Sequence, residues 1–370
     1  MLLPPATDLP QPTRQTCPFS TDVIAAQRRR AMQQAIDRRE PLDFIWLELT
    51  GRCNLECVHC YADSGPQRPL SEGMKLDDWI DALDQAAALG CKKVQFIGGE
   101  PTLYPGLAQL IAHARKTGYE HVCVYTNGTH FTDHLKAVFL EHQVNLAFSV
   151  YGSSEAVHDR ITQRKGSFVK TDRAVRWASE AGLPVRASII EMHANAHDVG
   201  ETERMLREAG VTSVYVDRVR GLGRGSQERP AQPALKELCG RCGDGKVCVS
   251  SNGEIYPCVF ARFAALGEIK NNGLAEVFYG RPLHGFRNAL IDAHGQATSL
   301  TTHASACGPE PGEPSTGCSP EQPAPPCTPE RDPGRCGPEI PPPDCAPEKP
   351  SICTPEKAAF HPMSSTAKPF

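Results

Sequence analysis

From residue 44 the chain alternates short apolar runs with longer amphipathic segments. The runs fall at 44–49, 94–97, 122–125, 146–150, 185–190 and 213–216, each four to six residues long. Between them, helical patterns cover 76–89, 106–116, 133–142, 169–181 and 199–209. Strands that alternate with helices in this way predict a parallel sheet with crossover helices. Six units fall short of an eight-stranded barrel. The predicted fold is therefore α/β, a partial (β/α)6 TIM-like barrel open enough to admit a large substrate. Polar and glycine residues gather just after the strands, at Gly98-Gly99, Thr126-Asn127-Gly128 and Tyr151-Gly152. Those are the strand ends where such folds place their chemistry.

Outside this rhythm the chain changes character. Residues 1–43 read as an N-terminal arm with a short helix capped at Ser20-Thr21-Asp22, on which Arg28-Arg29-Arg30 form a solvated face. The barrel is assigned 44–225 and ends in a Gly-rich link, Gly221 to Gly225. Residues 226–300 form a small Cys-containing β-hairpin extension, with the hairpin turn at Asn252-Gly253. The last stretch, 301–370, holds 18 of the 33 prolines, six of the 16 cysteines and only two Phe. So little apolar area cannot offset backbone ordering, and a disordered tail is predicted.

Composition removes several function classes. A net charge of −4 advertises no basic field for nucleic acid. No stretch approaches 18 apolar residues, so no membrane span is predicted. The N-terminus lacks the basic and apolar regions of a secretory signal, which points to a cytoplasmic, reducing setting. There, clustered cysteines bind metals or react more often than they form disulfides.

The strongest chemical signal is Thr50-Gly51-Arg52-Cys53-Asn54-Leu55-Glu56-Cys57-Val58-His59-Cys60-Tyr61, directly after the first strand. Three thiolates in one short loop can wrap one face of an iron–sulfur cube and leave the fourth iron open to a chelating ligand. A structural zinc site wants four ligands, usually as two pairs, and no second pair lies nearby. On spacing alone a cluster, a zinc site and three structural thiols all stay open. His59 is better suited to packing than to ligation. After the second strand comes Gly98-Gly99-Glu100-Pro101, whose glycines let backbone approach a ligand and whose Glu100 offers a carboxylate.

Together these motifs resemble the radical S-adenosylmethionine (radical SAM) enzymes, with C-x3-C-x-aromatic-C at Cys53, Cys57, His59 and Cys60 and GGEP at 98–101. The resemblance covers about residues 44–270. It implies that Cys53, Cys57 and Cys60 hold a 4Fe–4S cluster whose fourth iron SAM chelates. It further implies that Gly98, Gly99, Glu100 and Pro101 meet the SAM amino group, and that Asn127 and Ser149 hold ribose or carboxylate. Arg160 or Arg164 is then the partner of the SAM carboxylate. One-electron cleavage of SAM would yield a 5′-deoxyadenosyl radical that takes hydrogen from an unactivated carbon.

A second group, Cys239-Gly240-Arg241-Cys242, Cys248 and Cys258, brackets the predicted hairpin, and C-x10-G-x4-C from Cys242 resembles the start of a SPASM or twitch extension. The later cysteine run of the full SPASM pattern is missing, so the resemblance implies one auxiliary iron–sulfur cluster. Its ligands would be Cys239, Cys242 and Cys258, with Cys248 either a fourth ligand or a packed strand residue. A zinc ribbon from the same four cysteines is the competing reading. Cys17, Cys91 and Cys123 are left as ordinary thiols. The six late cysteines each begin a Cys-x-Pro-Glu tetrad, from Cys307 to Cys353. An expanded low-complexity tail, a metal-loading segment and a self-substrate or docking segment are the competing readings.

The function expected from the resemblance is a radical SAM oxidoreductase that modifies a peptide in natural-product maturation. The alternative acts on a sugar-like or other small metabolite by dehydrogenation, decarboxylation or epimerisation. A non-catalytic iron or zinc binder is a third class, disfavoured by the intact cysteine loop and GGEP. Expected partners are the peptide or small-molecule substrate and an electron donor such as flavodoxin or ferredoxin. About 43 residues precede the first strand, fewer than a leader-recognition domain needs, so a peptide substrate would call for a separate leader-recognition protein. No residue is assigned as acid, base or hydrogen donor, because fold and cofactor do not determine the substrate.

Overall fold

Six strands form in the expected order: β1 (Phe44–Glu48), β2 (Lys93–Ile97), β3 (His121–Thr126), β4 (Asn145–Ser149), β5 (Val185–Glu191) and β6 (Ser213–Arg218). Each pairs parallel with the next, so the sheet follows chain order from β1 to β6. The computed structural model describes residues 41–228 and 234–294. The arm with its expected helix and the Cys-x-Pro-Glu tail lie outside the described residues.

Helices α1 (Leu76–Ala88), α2 (Leu107–Thr117), α3 (Asp133–Glu141), α4 (Glu155–Thr162), α5 (Ser167–Glu180) and α6 (Val199–Glu208) provide the crossovers. Their apolar stripes explain their placement: α1 buries Trp79, Ala82, Leu83 and Ala86, one face of a 3.6-residue repeat, against the sheet. The pattern of apolar residues did not announce α4. Its only buried aliphatics are Val157 and Ile161, one turn apart, too few to establish a period.

Strand alternation divides the molecule into an outer and an inner core. On β1, Ile45 and Leu47 pack outward under the helices, while Phe44 and Trp46 pack inward with Ile97, Cys242, Cys248, Cys258 and Leu290. The predicted hairpin is present as β7 (Lys246–Val249) and β8 (Glu254–Tyr256), with Gly253 at φ +93° in its turn.

The join between hairpin and barrel is new. β7 pairs parallel with β1, setting Cys248 beside Trp46. With β9 (Gly267–Glu268) the nine strands form one sheet, ordered β6-β5-β4-β3-β2-β1-β7-β8-β9. No local pattern encodes that pairing, because its register is chosen by the inner core. The remaining helices are α7 (Gly225–Glu228), α8 (Ile269–Asn272), α9 (Leu274–Phe278) and α10 (Arg281–His294). None of the described helices is long and apolar enough to cross a membrane.

Asp159, midway along α4, organises the start of α5. Its carboxylate accepts hydrogen bonds from Gly166 N (2.5 Å), Ser167 Oγ (2.7 Å) and Phe168 N (2.8 Å). Burial works to raise the Asp159 carboxyl, but these bonds outweigh it and hold it below the ordinary carboxylate range. A depressed native pKa contributes stability that is full above the unfolded value of about 3.9 and lost as pH falls through the native value. Asp159→Asn should therefore cost about 1 kcal/mol at pH 7, with a smaller deficit at pH 2. Thermal unfolding of both proteins at the two pH values checks this; an equal deficit at both would refute the linkage.

Candidate active site

The three-cysteine loop is held from three sides. At the end of β2, Gly99 N donates to Thr50 O (2.6 Å) and Glu100 N to Arg52 O (2.9 Å). A Cβ on Gly99 would stand 2.2 Å from Arg52 O, so only glycine permits this approach. From α4, Thr162 O and Ile161 O accept Glu56 N (3.2 Å) and Val58 N (3.0 Å). From beyond β6, Cys60 O accepts Arg224 N (3.0 Å).

The loop opens on a cavity of about 1160 Å³, mouth included. Cys53, Cys57, Cys60, Gly98, Gly99, Asn127 and Ser149 all line it, so the fold gathers these sequence-predicted residues in one place. Glu100 and Pro101 are placed behind the wall instead: both are buried and neither lines the cavity. Glu100 Oε1 accepts from Thr102 N (3.1 Å), Thr102 Oγ1 (2.7 Å) and Thr126 Oγ1 (2.6 Å), and Oε2 accepts from Asn127 N (2.7 Å). Burial pushes this carboxyl up, and the four bonds only partly pull it back. Glu100 thus braces the ends of β2 and β3 and turns its carboxylate away from the cavity.

Neither expected carboxylate partner lines the cavity. Arg160 is exposed, and its Nη2 donates to Ala194 O (2.7 Å). Arg164 borders a separate recess of about 250 Å³ with Lys165, Ser167 and Lys170. The arginines on the cavity are Arg218, Arg220 and Arg224, at and after the end of β6. Sequence reading passed over them because 221–225 looks like a flexible link, although an arginine directly after a barrel strand was a usable signal.

The donor set fits an iron–sulfur cluster. The loop offers three thiols and no carboxylate to the cavity, the soft ligands such clusters take. Cys53 Sγ accepts from Leu55 N (3.4 Å) and Asn127 Nδ2 (3.7 Å), the kind of support that steadies a bound thiolate. Burial, then Glu100, pushes the Cys53 thiol up to about 12, and burial, then Cys53 and Cys60, raises Cys57. Three thiolates in so dry a loop need a strongly cationic core to offset them. Among the described residues no three His, Cys, Asp or Glu side chains converge tightly enough for a single metal ion. A four-iron cluster does not ask for that, since each thiolate binds a different iron. His59 packs edge-on against Tyr151 with ring centroids 4.6 Å apart, and burial pushes its pKa down to about 4, as suits a packed neutral ring.

The second cysteine group lies behind the cavity wall, in the inner core, and only Val259 and Phe260 next to Cys258 line the cavity. Cys242 and Cys258 are buried with Sγ atoms 2.8 Å apart, closer than the about 3.8 Å between two thiolates on one tetrahedral zinc. Cys239 is exposed and hydrogen-bonded with Cys242, which holds Cys239 below the ordinary thiol range and keeps the proton on Cys242. Cys248 shares their inner core and also feels Glu48, whose buried carboxylate pairs with Arg262.

Aromatic rings join the two groups. Tyr61, next to Cys60, meets Phe260, two residues past Cys258, with centroids 5.0 Å apart, and both rings line the cavity. Arg262 lies over the Tyr61 ring at 5.6 Å.

A parallel partial barrel with a three-cysteine loop at its strand ends, and a second cysteine group in the adjoining inner core, defines a cluster-dependent enzyme class. The "Radical SAM superfamily" model matches residues 47–209 and the "Iron-sulfur cluster-binding domain" (SPASM) model matches 239–307. The chain thus carries a radical SAM domain and a SPASM domain, and these imply a 4Fe–4S cluster, SAM and an auxiliary iron–sulfur cluster as its cofactors.

Among curated proteins it is similar to the sporulation killing factor maturation protein SkfB of Bacillus subtilis (strain 168), with 28% identity over 54% of this chain and 50% of that one. It is also similar to the antilisterial bacteriocin subtilosin biosynthesis protein AlbA of the same organism, with 24% identity over 64% of this chain and 59% of that one. The chain spans about half the length of the curated relatives it matches. Its fold matches Streptococcus suis SuiB bound to precursor peptide SuiA, with TM-score 0.58 and 14% identity over 76% of this chain and 75% of that one.

Proposed function

We propose that this chain is a radical SAM oxidoreductase that modifies a peptide in natural-product maturation. Cys53, Cys57 and Cys60 hold the 4Fe–4S cluster, and the cavity faces of Gly98, Gly99, Asn127 and Ser149 receive SAM. Hydrogen-atom abstraction by a SAM-derived radical is the chemistry this pair supplies when bound. Cys239, Cys242 and Cys258 hold the auxiliary cluster, and Cys248 packs against it on β7. A flavodoxin or ferredoxin supplies the electron.

The observation that carries this reading is that the three-cysteine loop lines a cavity whose wall includes Val259 and Phe260, the residues directly after Cys258, with Phe260 in contact with Tyr61 beside Cys60. A substrate held there meets a hydrogen-abstracting centre on one side and, behind the wall of Val259 and Phe260, an electron acceptor, as an oxidative crosslink requires. The names of SkfB and AlbA, a maturation protein and a bacteriocin biosynthesis protein, support a peptide substrate. So does the SuiB complex with its precursor peptide.

The protein's own residues position that substrate. The apolar wall of Trp46, Ile97, Tyr125, Val259 and Phe260 excludes water, and Arg218, Arg220 and Arg224 add positive charge to the lining. Incubating the reconstituted enzyme with deuterated peptides encoded beside its gene, and with deuterated sugars and cyclitols, tests the reading. Label should enter 5′-deoxyadenosine from a peptide. Transfer only from a sugar or cyclitol would overturn the peptide assignment.

A further inference from the structure

The segment after β6 closes over the cysteine loop. Besides its backbone bond to Cys60 O (3.0 Å), Arg224 donates from Nε to Cys57 O (2.8 Å) and from Nη2 to Ser64 O (2.8 Å). These bonds tie together residues 167 and 160 positions apart in sequence. The flanking glycines make the approach possible. Gly223 has φ +51°, and a Cβ there would stand 2.5 Å from Cys60 O and 2.6 Å from Tyr61 O. On Gly225 it would meet Arg220 O at 2.3 Å and His59 O at 3.3 Å.

Backbone of residues 59, 60 and 61 is therefore overlaid by backbone of 223 and 225, with the Arg224 side chain inserted between. Among the described residues no carboxylate forms an ion pair with Arg224, so its charge is committed to the carbonyls of the loop and to the cavity it lines. Its guanidinium instead lines the cavity on which the three thiols open.

We propose that Gly223-Arg224-Gly225 is a clasp that positions Cys57 and Cys60, and that the Arg224 guanidinium makes the cluster they hold easier to reduce. The proposal rests on reading the loop as the cluster site. A cation beside cluster thiolates stabilises the reduced state, which carries one more negative charge, and charge and hydrogen bonding near the sulfurs are recognised means of setting cluster potentials. The fork to Cys57 O and Ser64 O holds the loop closed against loss of iron. Arg224 is a positioning residue on this account.

The test uses the full chain, reconstituted anaerobically, with Arg224→Lys and Arg224→Gln. Two quantities are measured: the midpoint of the SAM-responsive EPR signal in a redox titration, and the rate of iron release to a chelator. Arg224→Gln should shift the reduction equilibrium about tenfold toward the oxidised state, 59 mV for one electron, and release iron several-fold faster. Arg224→Lys keeps the charge but lacks the fork. It should hold its equilibrium within threefold of wild type and still release iron faster.

A wild-type midpoint in Arg224→Gln, or equal shifts in both variants, overturns the electrostatic role. Wild-type iron release in Arg224→Lys overturns the clasp, and that variant decides the matter even if Arg224→Gln does not fold. Cys57→Ala separates the underlying reading: if it keeps the SAM-responsive signal, the loop is not the cluster site, whatever the Arg224 variants do.

Discussion

Alanine at Cys53, Cys57 or Cys60 should abolish SAM cleavage, with 5′-deoxyadenosine falling to the rate of a protein-free control. On the proposed ligation each thiol would hold a different iron, so no neighbour could replace a missing one. The loop is tied to β2, α4 and the Gly223–Gly225 segment by backbone bonds that do not involve these side chains. The variants should therefore fold, and far-UV circular dichroism should stay unchanged while the cluster absorbance is lost. Cys91→Ala is the control. Its thiol is buried under the helices, donates to Lys93 O (3.3 Å) and does not line the cavity, so it should leave SAM cleavage intact. A Cys53→Ala protein that produced 5′-deoxyadenosine at the wild-type rate would sink the assignment.

Glu100→Ala is the second large effect, and it acts through a different route. The carboxylate is fully buried and accepts four hydrogen bonds, so its removal strands the Thr102 and Asn127 amides and two hydroxyls in a dry wall. The two stranded amides cost about 1–3 kcal/mol each, while the hydroxyls can turn to other acceptors, which puts the loss of stability at about 2–6 kcal/mol. The damage should extend to the site, because Asn127, steered by Glu100, in turn donates to Asn54 Oδ1 (2.9 Å) and Cys53 Sγ. The expected result is a lower denaturation midpoint together with weaker SAM binding by calorimetry. A carboxylate that met SAM directly would instead lose binding at unchanged stability, so the two measurements taken together separate a brace from a ligand contact.

These outcomes bear on what each level of description contains. The Cys53–Cys60 loop and Gly98-Gly99 could be read from sequence because their chemistry is local. Three thiols within eight residues must share a site, and a glycine pair after a strand marks a close backbone approach. The six parallel strands were readable for a similar reason, since short apolar runs between amphipathic helices leave few ways to bury their surface.

Other features were hidden because distance in sequence decided them. Glu100 looked like a ligand group from its motif and turned inward because Thr102, Thr126 and Asn127 supply its donors. Arg160 and Arg164 followed the right strand yet face Ala194 and a separate recess, while the link at 221–225 carries an arginine onto the cavity. Cys248 shows the same limit. Alternation placed it on one face of a strand, but only the parallel pairing of β7 with β1 set it beside Trp46 in the inner core.

The sequence by itself determined the family, the partial barrel and the cysteines available to clusters, because these rest on residue type, spacing and periodicity along a few turns of chain. Tertiary structure alone decided which polar groups face the cavity, that Phe260 beside the second cysteine group meets Tyr61 beside the first, and that Arg224 reaches back to the loop. Those are contacts between segments up to 167 residues apart, and their geometry follows from how the whole sheet and its two cores pack.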